Sequence, residues 1–222
     1  MIIVHHLNNS RSQRLLWLLE ELGVLYEIKR YQRDPKTMLA PPELRKVHPL
    51  GKSPVITDGD VTLAESGAIM EYVLEKYGRG RLMPRVGTPE RLRYTYWMHF
   101  AEGTAMPPLV MKLVLGRMAK SAPFFVRPVA RAIAKKVNDG FVQPNISRQL
   151  DFMESELSRS TWFAGNEFTA ADIQMSFPLE AASARGGLDV SRPKLMEFLN
   201  RIHAREAYRA ALEKGGEYKL LR

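Results

Sequence analysis

Apolar and polar positions alternate in short segments over the first eighty or so residues and then settle into a helical period. Ile2 to His6 reads as a strand, and Arg11 to Leu22 as a helix with Leu15, Leu18, Leu19 and Leu22 on one face. Tyr26 to Tyr31 reads as a second strand. Gly23 supplies the stop for the first helix. Pro41 to Val47 predicts a short helical turn, Pro54 to Thr57 and Val61 to Leu63 a hairpin about Asp58-Gly59-Asp60, and Ser66 to Tyr77 a further helix. The order is βαβ, then ββα. Such an order implies a parallel strand pair with a right-handed crossover, joined by antiparallel strands into a mixed sheet with helices on its faces.

Gly78 to Gly87, rich in glycine, arginine and proline, reads as a linker. Beyond it the period is helical. Pro89 opens a long helix through Tyr94, Trp97, Met98 and Ala101, which Pro107-Pro108 is expected to kink or end. Asn145 to Leu157 and Lys194 to His203 are further amphipathic helices. Phe168-Thr169-Ala170-Ala171-Asp172-Ile173 combines a hydroxyl N-cap, an acid three residues on and flanking apolar residues, the pattern of a capping box with its hydrophobic staple. It reads as a folding signal.

At 222 residues, 45% hydrophobic and 26% charged, the chain has the composition of a soluble globular protein of one large or two small domains. Met1 to Val4 leads straight into a strand, and no apolar run reaches membrane-spanning length, so a cytoplasmic location is expected. The absence of cysteine excludes disulfides, thiolate metal sites and a cysteine nucleophile, so any thiol chemistry must use a thiol carried by a ligand. No metal site is expected. The net charge of +9 is uneven: residues 1–83 hold 12 basic and 10 acidic side chains, and residues 84–222 hold 21 and 14. Pro107 to Asn138 alone has seven basic residues and no acid. Aromatic residues are not interleaved with these charges as a base-stacking platform requires, so no nucleic-acid partner is expected. With Phe124, Phe125 and Val126 beside Arg127 and Arg131, the stretch reads either as a weak contact for anionic membrane surfaces or as a helical lid.

The densest candidate chemistry is Gly51-Lys52-Ser53-Pro54-Val55 followed by Glu65-Ser66. A proline entering a strand after a small polar residue can hold a cis bond that leaves neighbouring backbone groups facing a ligand. An acid and a hydroxyl at the next helix start offer a polar anchor where free N–H groups favour a carboxylate. Together they suit a small zwitterionic peptide. Ser10, between the first strand and first helix, is either a plain N-cap or a hydroxyl poised over an anion, with Ser12 as its rival. His5 and His6 lie on a strand, where one should point into the core and one out.

These segments, in this order, resemble the cytosolic-type glutathione transferases over essentially the whole chain. His6-Leu7-Asn8-Asn9-Ser10-Arg11, Ala40-Pro41-Pro42-Glu43-Leu44, His48-Pro49-Leu50-Gly51, Leu63-Ala64-Glu65-Ser66-Gly67 and Met175-Ser176-Phe177-Pro178-Leu179 resemble more narrowly the bacterial and fungal branch. The resemblance implies an α/β thioredoxin-like N-terminal domain over residues 1–83 and an all-α C-terminal domain over residues 84–222. It implies glutathione as co-substrate, conjugation to a small-molecule electrophile, reduction of organic hydroperoxides as a side activity, and a homodimer. Ser10 would hold the thiolate, with Asn9 and Arg11 as neighbouring donors. Val55 would pair its backbone with the cysteinyl unit, Glu65 and Ser66 would take the γ-glutamyl amine and carboxylate, Lys52 would neutralise the glycyl carboxylate, and Ser53 would shape the loop. Tyr94, Trp97 and Met106 would wall the electrophile pocket, although such a stripe is more often core. Glu102 would reach the partner subunit's glutathione. The alternatives are a ligand carrier with little turnover, or an interaction module that keeps the fold and not the site.

Overall fold

The computed structural model describes residues 1–216 and 218. Its sheet is made of β1 (Ile2–Leu7), β2 (Tyr26–Tyr31), β3 (Val55–Asp58) and β4 (Val61–Ala64), in the spatial order β2-β1-β3-β4. β1 pairs parallel with β2 and antiparallel with β3, and β4 returns on β3 through the two residues Gly59 and Asp60. Helix α1 (Ser12–Leu22) makes the crossover from β1 to β2, and Gly23 ends it in the left-handed conformation at φ 64°. α2 (Glu43–Val47) covers one face of the sheet, while α1 and α3 (Ser66–Tyr77) cover the other.

Because β1 is central, both of its faces are covered. Ile2 and Val4 join the core under α1 and α3, whereas Leu7 packs with Tyr31 and Leu44 of α2. This corrects the expectation that one of the two strand histidines faces water: His5 and His6 are both buried. His5 Nδ1 meets the Tyr31 hydroxyl at 3.0 Å on the α2 side, and His6 turns to the α1 side.

Among the described residues from Pro89 onward the long elements are all helices: α4 (Pro89–Phe100), α5 (Met106–Ser121), α6 (Arg127–Val137), α7 (Gln143–Leu157), α8 (Ala170–Ala181), α9 (Pro193–His203) and α10 (Glu206–Gly215). Pro107-Pro108 neither ends nor breaks the first of these runs. A single π-turn, Ala101–Ala105, carries α4 into α5, with the Met106 N–H reaching the Ala101 carbonyl five residues back. The wider turn accommodates two successive residues that have no N–H to offer the preceding carbonyls. A second π-turn, Asn138–Val142, joins α6 to α7, and a third, Ala182–Gly186, extends α8.

α8 is buried along its whole length and forms the axis of the helical region. Its start is held by the expected capping box. The Asp172 carboxylate accepts from the Thr169 N–H at 2.8 Å, from the Phe163 N–H at 2.9 Å and from the Thr169 hydroxyl at 3.1 Å. The C-terminal helix α10 returns across the first layer: Tyr208 sets its ring edge-on to Trp17 at 5.0 Å, and Gly215 lies flat on α1. A methyl group at Gly215 would fall 2.3 Å from Gln13 Oε1, so a larger residue there would have to displace the Gln13 side chain.

Candidate functional site

Arg11, Leu50, Lys52, Ser53, Pro54, Ala64, Glu65, Ser66 and Glu102 line one hollow where the sheet meets the π-turn after α4. Three connections put them there. The Ser53–Pro54 peptide bond is cis, so the chain turns into β3 with Ser53 at the rim, and the Ser53 hydroxyl donates to the His5 carbonyl at 3.0 Å. Glu65, at φ 72° and ψ 119°, stands in a conformation that non-glycine residues rarely adopt and leaves its exposed carboxylate above the start of α3. Gly51, at φ 56°, lets the Arg45 side chain lie where a Cβ would be, 2.5 Å from Arg45 Cγ. A larger hollow lies between the linker and residues 164–169, but the polar residues expected to act together gather in the smaller one.

Below Ser53 runs a chain of hydroxyls. Ser53 Oγ lies 3.4 Å from Ser10 Oγ, Ser10 Oγ lies 2.7 Å from Ser12 Oγ, and Ser12 Oγ lies 2.9 Å from His6 Nδ1. The Ser12 N–H also donates to Ser10 Oγ at 3.2 Å. Burial, reinforced by Arg30, pushes the His6 imidazole down to about 4, so it is neutral near pH 7. The Ser12 hydroxyl also lies 3.4 Å from the Leu7 carbonyl, so its hydrogen can go to the imidazole Nδ1 or to that carbonyl. In either case the Ser12 oxygen remains able to accept from the Ser10 hydroxyl at 2.7 Å. Ser10 thus sits in a buried chain of hydrogen bonds, its Oγ accepting from the Ser12 N–H and lying within reach of the Ser12 and Ser53 hydroxyls.

On the other side, Arg11 and Glu102 are bound to each other. Arg11 Nε donates to both Glu102 oxygens at 2.8 and 2.9 Å, and Arg14 Nη2 donates to Glu102 Oε1 at 2.6 Å. Desolvation pushes the Glu102 carboxyl upward, but Arg14 and Arg11 together outweigh it and hold the carboxyl below its ordinary value. Arg14 is almost wholly buried and also donates to the Ser66 hydroxyl at 3.0 Å and to the Gln174 carbonyl at 2.6 Å. Both guanidinium groups lie over the Phe177 ring, at 5.1 and 5.3 Å. The sequence reading passed over Arg14, a charge set among the leucines of α1; an arginine inside an apolar helical face was the available signal.

Two family profiles match this chain: the glutathione S-transferase N-terminal domain over residues 1–75 and the C-terminal domain over residues 118–206. Glutathione S-transferase 3 of Schizosaccharomyces pombe is 38% identical over 214 residues, covering 96% of this chain and 88% of the relative. Glutathione S-transferase 1 of Saccharomyces cerevisiae is 35% identical, covering 96% and 95%. The chain belongs to the glutathione S-transferase family. Among solved structures of the family, a glutathione S-transferase from Actinobacillus pleuropneumoniae superposes with a TM-score of 0.76 at 32% identity, over 100% of this chain and 96% of that one. A sphingomonad glutathione S-transferase solved with glutathione shares the fold, with a TM-score of 0.73 at 24% identity and coverage of 96% and 98%.

Within this glutathione S-transferase fold, several expected roles move. Val55 is buried inside the sheet, with His5 of β1 on one side and Ala64 of β4 on the other, so its backbone faces strands and not a ligand. Of that segment, Lys52, Ser53 and Pro54 line the cleft. Tyr94 and Trp97 are 1% exposed and Met106 2%, all within the main core, where Trp97 packs on Phe163 at 4.5 Å. None of them lines the hollow beside Ser53. Glu102, expected to reach a partner's ligand, is held by two arginines of its own chain. Asn9 adopts φ 51°, which asparagine tolerates, and its carbonyl lies 3.5 Å from Arg33 Nη2.

Proposed function

We propose that the protein is an enzyme that binds glutathione in the hollow beside Ser10 and activates its thiol for attack on soft electrophiles, with hydroperoxide reduction as a side activity. The observation that carries the reading is the convergence of Lys52, Ser53, Glu65 and Ser66 on one hollow, next to a buried serine hydrogen-bonded to Ser12. Glu65 takes the γ-glutamyl amine, Ser66 the adjacent carboxylate and Lys52 the glycyl carboxylate. Residues 1–83 hold the tripeptide and residues 84–222 the electrophile. An intact polar set of this kind argues against a pure interaction module, which has no use for it.

The thiol chemistry can be apportioned. An unperturbed thiol has a pKa of about 8.5, and lowering it by about two units takes about 2.7 kcal/mol of preference for the thiolate. Ser10 supplies part of this by swinging its hydrogen from Ser12 to the sulfur. The swing exchanges a neutral hydrogen bond worth about 1 kcal/mol for one to an anion worth about 2–3 kcal/mol, a net gain near one pKa unit. Asn9 and Arg11 supply the remainder. Accordingly, Ser10→Ala raises the pKa of the bound thiol by about one unit with little change in glutathione affinity, read from the pH dependence of thiolate absorbance. An unchanged pKa would transfer the whole role to Asn9 and Arg11.

Tyr96 and Phe152 expose aromatic faces on α4 and α7, which supports a homodimer packed through these helices. At the α5–α6 turn, Phe124 and Phe125 stand in the open beside Arg127 and Arg131, which supports weak association with anionic membrane surfaces. A cytoplasmic setting fits a chemistry that consumes reduced glutathione; among the described residues no helix is long and apolar enough to cross a membrane.

A further inference from the structure

With Tyr94, Trp97 and Met106 in the core, the hollow meets the helical region at a polar wall, where Arg11 at the head of α1 is bound to Glu102 of the π-turn after α4. Arg11 is held at two places. Its Nε donates to both Glu102 oxygens, at 2.8 and 2.9 Å, and its Cζ lies 5.1 Å from the centre of the Phe177 ring. Phe177 is buried in α8, so the charge rests on a packed aromatic floor. Neither hold uses the tip of the side chain. Among the described residues, Nη1 and Nη2 of Arg11 meet no hydrogen-bond acceptor, although the side chain lines the hollow and is only 32% exposed.

Arg14 on the same ring provides the contrast. Its Nη1 is spent on the Gln174 carbonyl and its Nη2 on Ser66 and Glu102. Arg11 and Arg14 share one carboxylate, so the cluster retains one positive charge beyond what Glu102 neutralises. A guanidinium that is anchored at its root, partly buried and unspent at its tip is already ordered to receive negative charge as a reaction develops it. With the carboxylates of glutathione assigned to Ser66 and Lys52, that charge belongs to the sulfur or to the second substrate. The fork has two terminal nitrogens, so contact with the sulfur through one leaves the other for an atom close to the attacked carbon.

We propose that Arg11 is a catalytic residue toward the second substrate, donating from its terminal nitrogens to an oxygen that becomes negative as the thiolate adds, so that conjugated carbonyl compounds are the preferred electrophiles. The proposal rests on the glutathione-conjugating function above and adds the substrate class. The step is an addition. The sulfur bonds to the β-carbon, the π pair of the carbon–carbon double bond moves toward the carbonyl, and the oxygen becomes an enolate held by Arg11. The enolate then takes a proton from water at its α-carbon, and the hydroxide left behind balances the proton that the thiol gave up on ionising. An alkyl chloride has no such oxygen: the sulfur bonds to carbon, the carbon–chlorine bond breaks and its electron pair leaves on chloride.

Cyclohexenone and benzyl chloride separate the two cases, because the same thiolate attacks both. An effect of Arg11 on the thiolate is common to the pair, and only an effect on the developing oxygen divides it. Removing an oxyanion donor from a closed site costs about 10²–10³ in rate, and for a side chain that is 32% exposed about tenfold is the appropriate figure. Arg11→Met is therefore expected to lower kcat/KM for cyclohexenone about tenfold more than for benzyl chloride. Arg11→Lys, which keeps the charge beside Glu102 and loses the fork, recovers the common loss and not the extra one. Glu102 retains Arg14 in both variants, and calorimetric titration with glutathione checks that the site is intact. Equal losses on the two compounds, or none, overturn the proposal and leave the function standing, as does a parent that conjugates benzyl chloride and not cyclohexenone. An Arg11→Met protein that no longer binds glutathione overturns it as well, by assigning Arg11 to the tripeptide. A parent that conjugates neither compound would instead remove the function on which the proposal rests.

Discussion

Asp172→Ala is expected to lower folding stability by about 4 kcal/mol, the largest effect of any single substitution considered for this chain. The carboxylate is fully buried and accepts from two backbone N–H groups and one hydroxyl. Each donor left unsatisfied in apolar surroundings costs about 1–3 kcal/mol. Removing the carboxylate also removes its own desolvation penalty, which pushes its pKa up to about 6, so the loss is smaller than three full penalties. The sign of its pH dependence follows from the same shift. The folded carboxyl holds its proton until about pH 6, whereas the unfolded one releases it near pH 4. Its contribution is therefore complete at low pH and declines as pH rises through about 6, a slope that Asp172→Asn abolishes. Denaturant titration at several pH values measures both effects. A loss below about 1 kcal/mol would mean that water replaces the carboxylate and that the box is not what anchors α8.

Arg14→Met is expected to combine a stability loss with a functional one. The guanidinium links α1 to Ser66 at the start of α3, to Glu102 in the π-turn and to the Gln174 carbonyl in α8. Breaking a buried ion pair from one side costs about 3–5 kcal/mol, but Glu102 retains Arg11 and is 32% exposed, so about 2–3 kcal/mol is the appropriate figure. Ser66 then loses the donor that orients its hydroxyl. With Ser66 as the ligand for the γ-glutamyl carboxylate, glutathione binding weakens about tenfold, the equivalent of one hydrogen bond to a charged group. Arg14→Lys keeps the charge without the planar fork and recovers stability better than affinity. An Arg14→Met protein that binds glutathione as tightly as the parent would show that Ser66 needs no anchoring.

Local grammar made most of the fold legible. The alternation in Tyr26–Tyr31, the hairpin at Gly59-Asp60 and the helix Ser66–Tyr77 stand where the sequence put them, because each is bounded by its own turn or cap residues. The box at Thr169 and Asp172 was equally plain, since capping is settled within four residues. What periodicity could not supply was the identity of the partner across the interface. Tyr94, Trp97 and Met106 show that a helical stripe predicts burial without distinguishing a core from a pocket wall. Pro107-Pro108 shows that a breaker can be absorbed when a π-turn precedes it. Within the site, Lys52, Ser53, Glu65 and Ser66 were legible as one short motif, whereas Arg14, His6 and Ser12 belong to it through tertiary contacts that no spacing records.

The central claim is that the hollow beside Ser10 binds glutathione. Calorimetric titration of the full chain with reduced glutathione tests it most directly. The account predicts saturable binding with one site per chain, in the micromolar to low millimolar range, weakened by Arg14→Met and by loss of Ser66. No detectable heat, with the protein folded, would contradict it and leave a glutathione S-transferase fold serving as an interaction module.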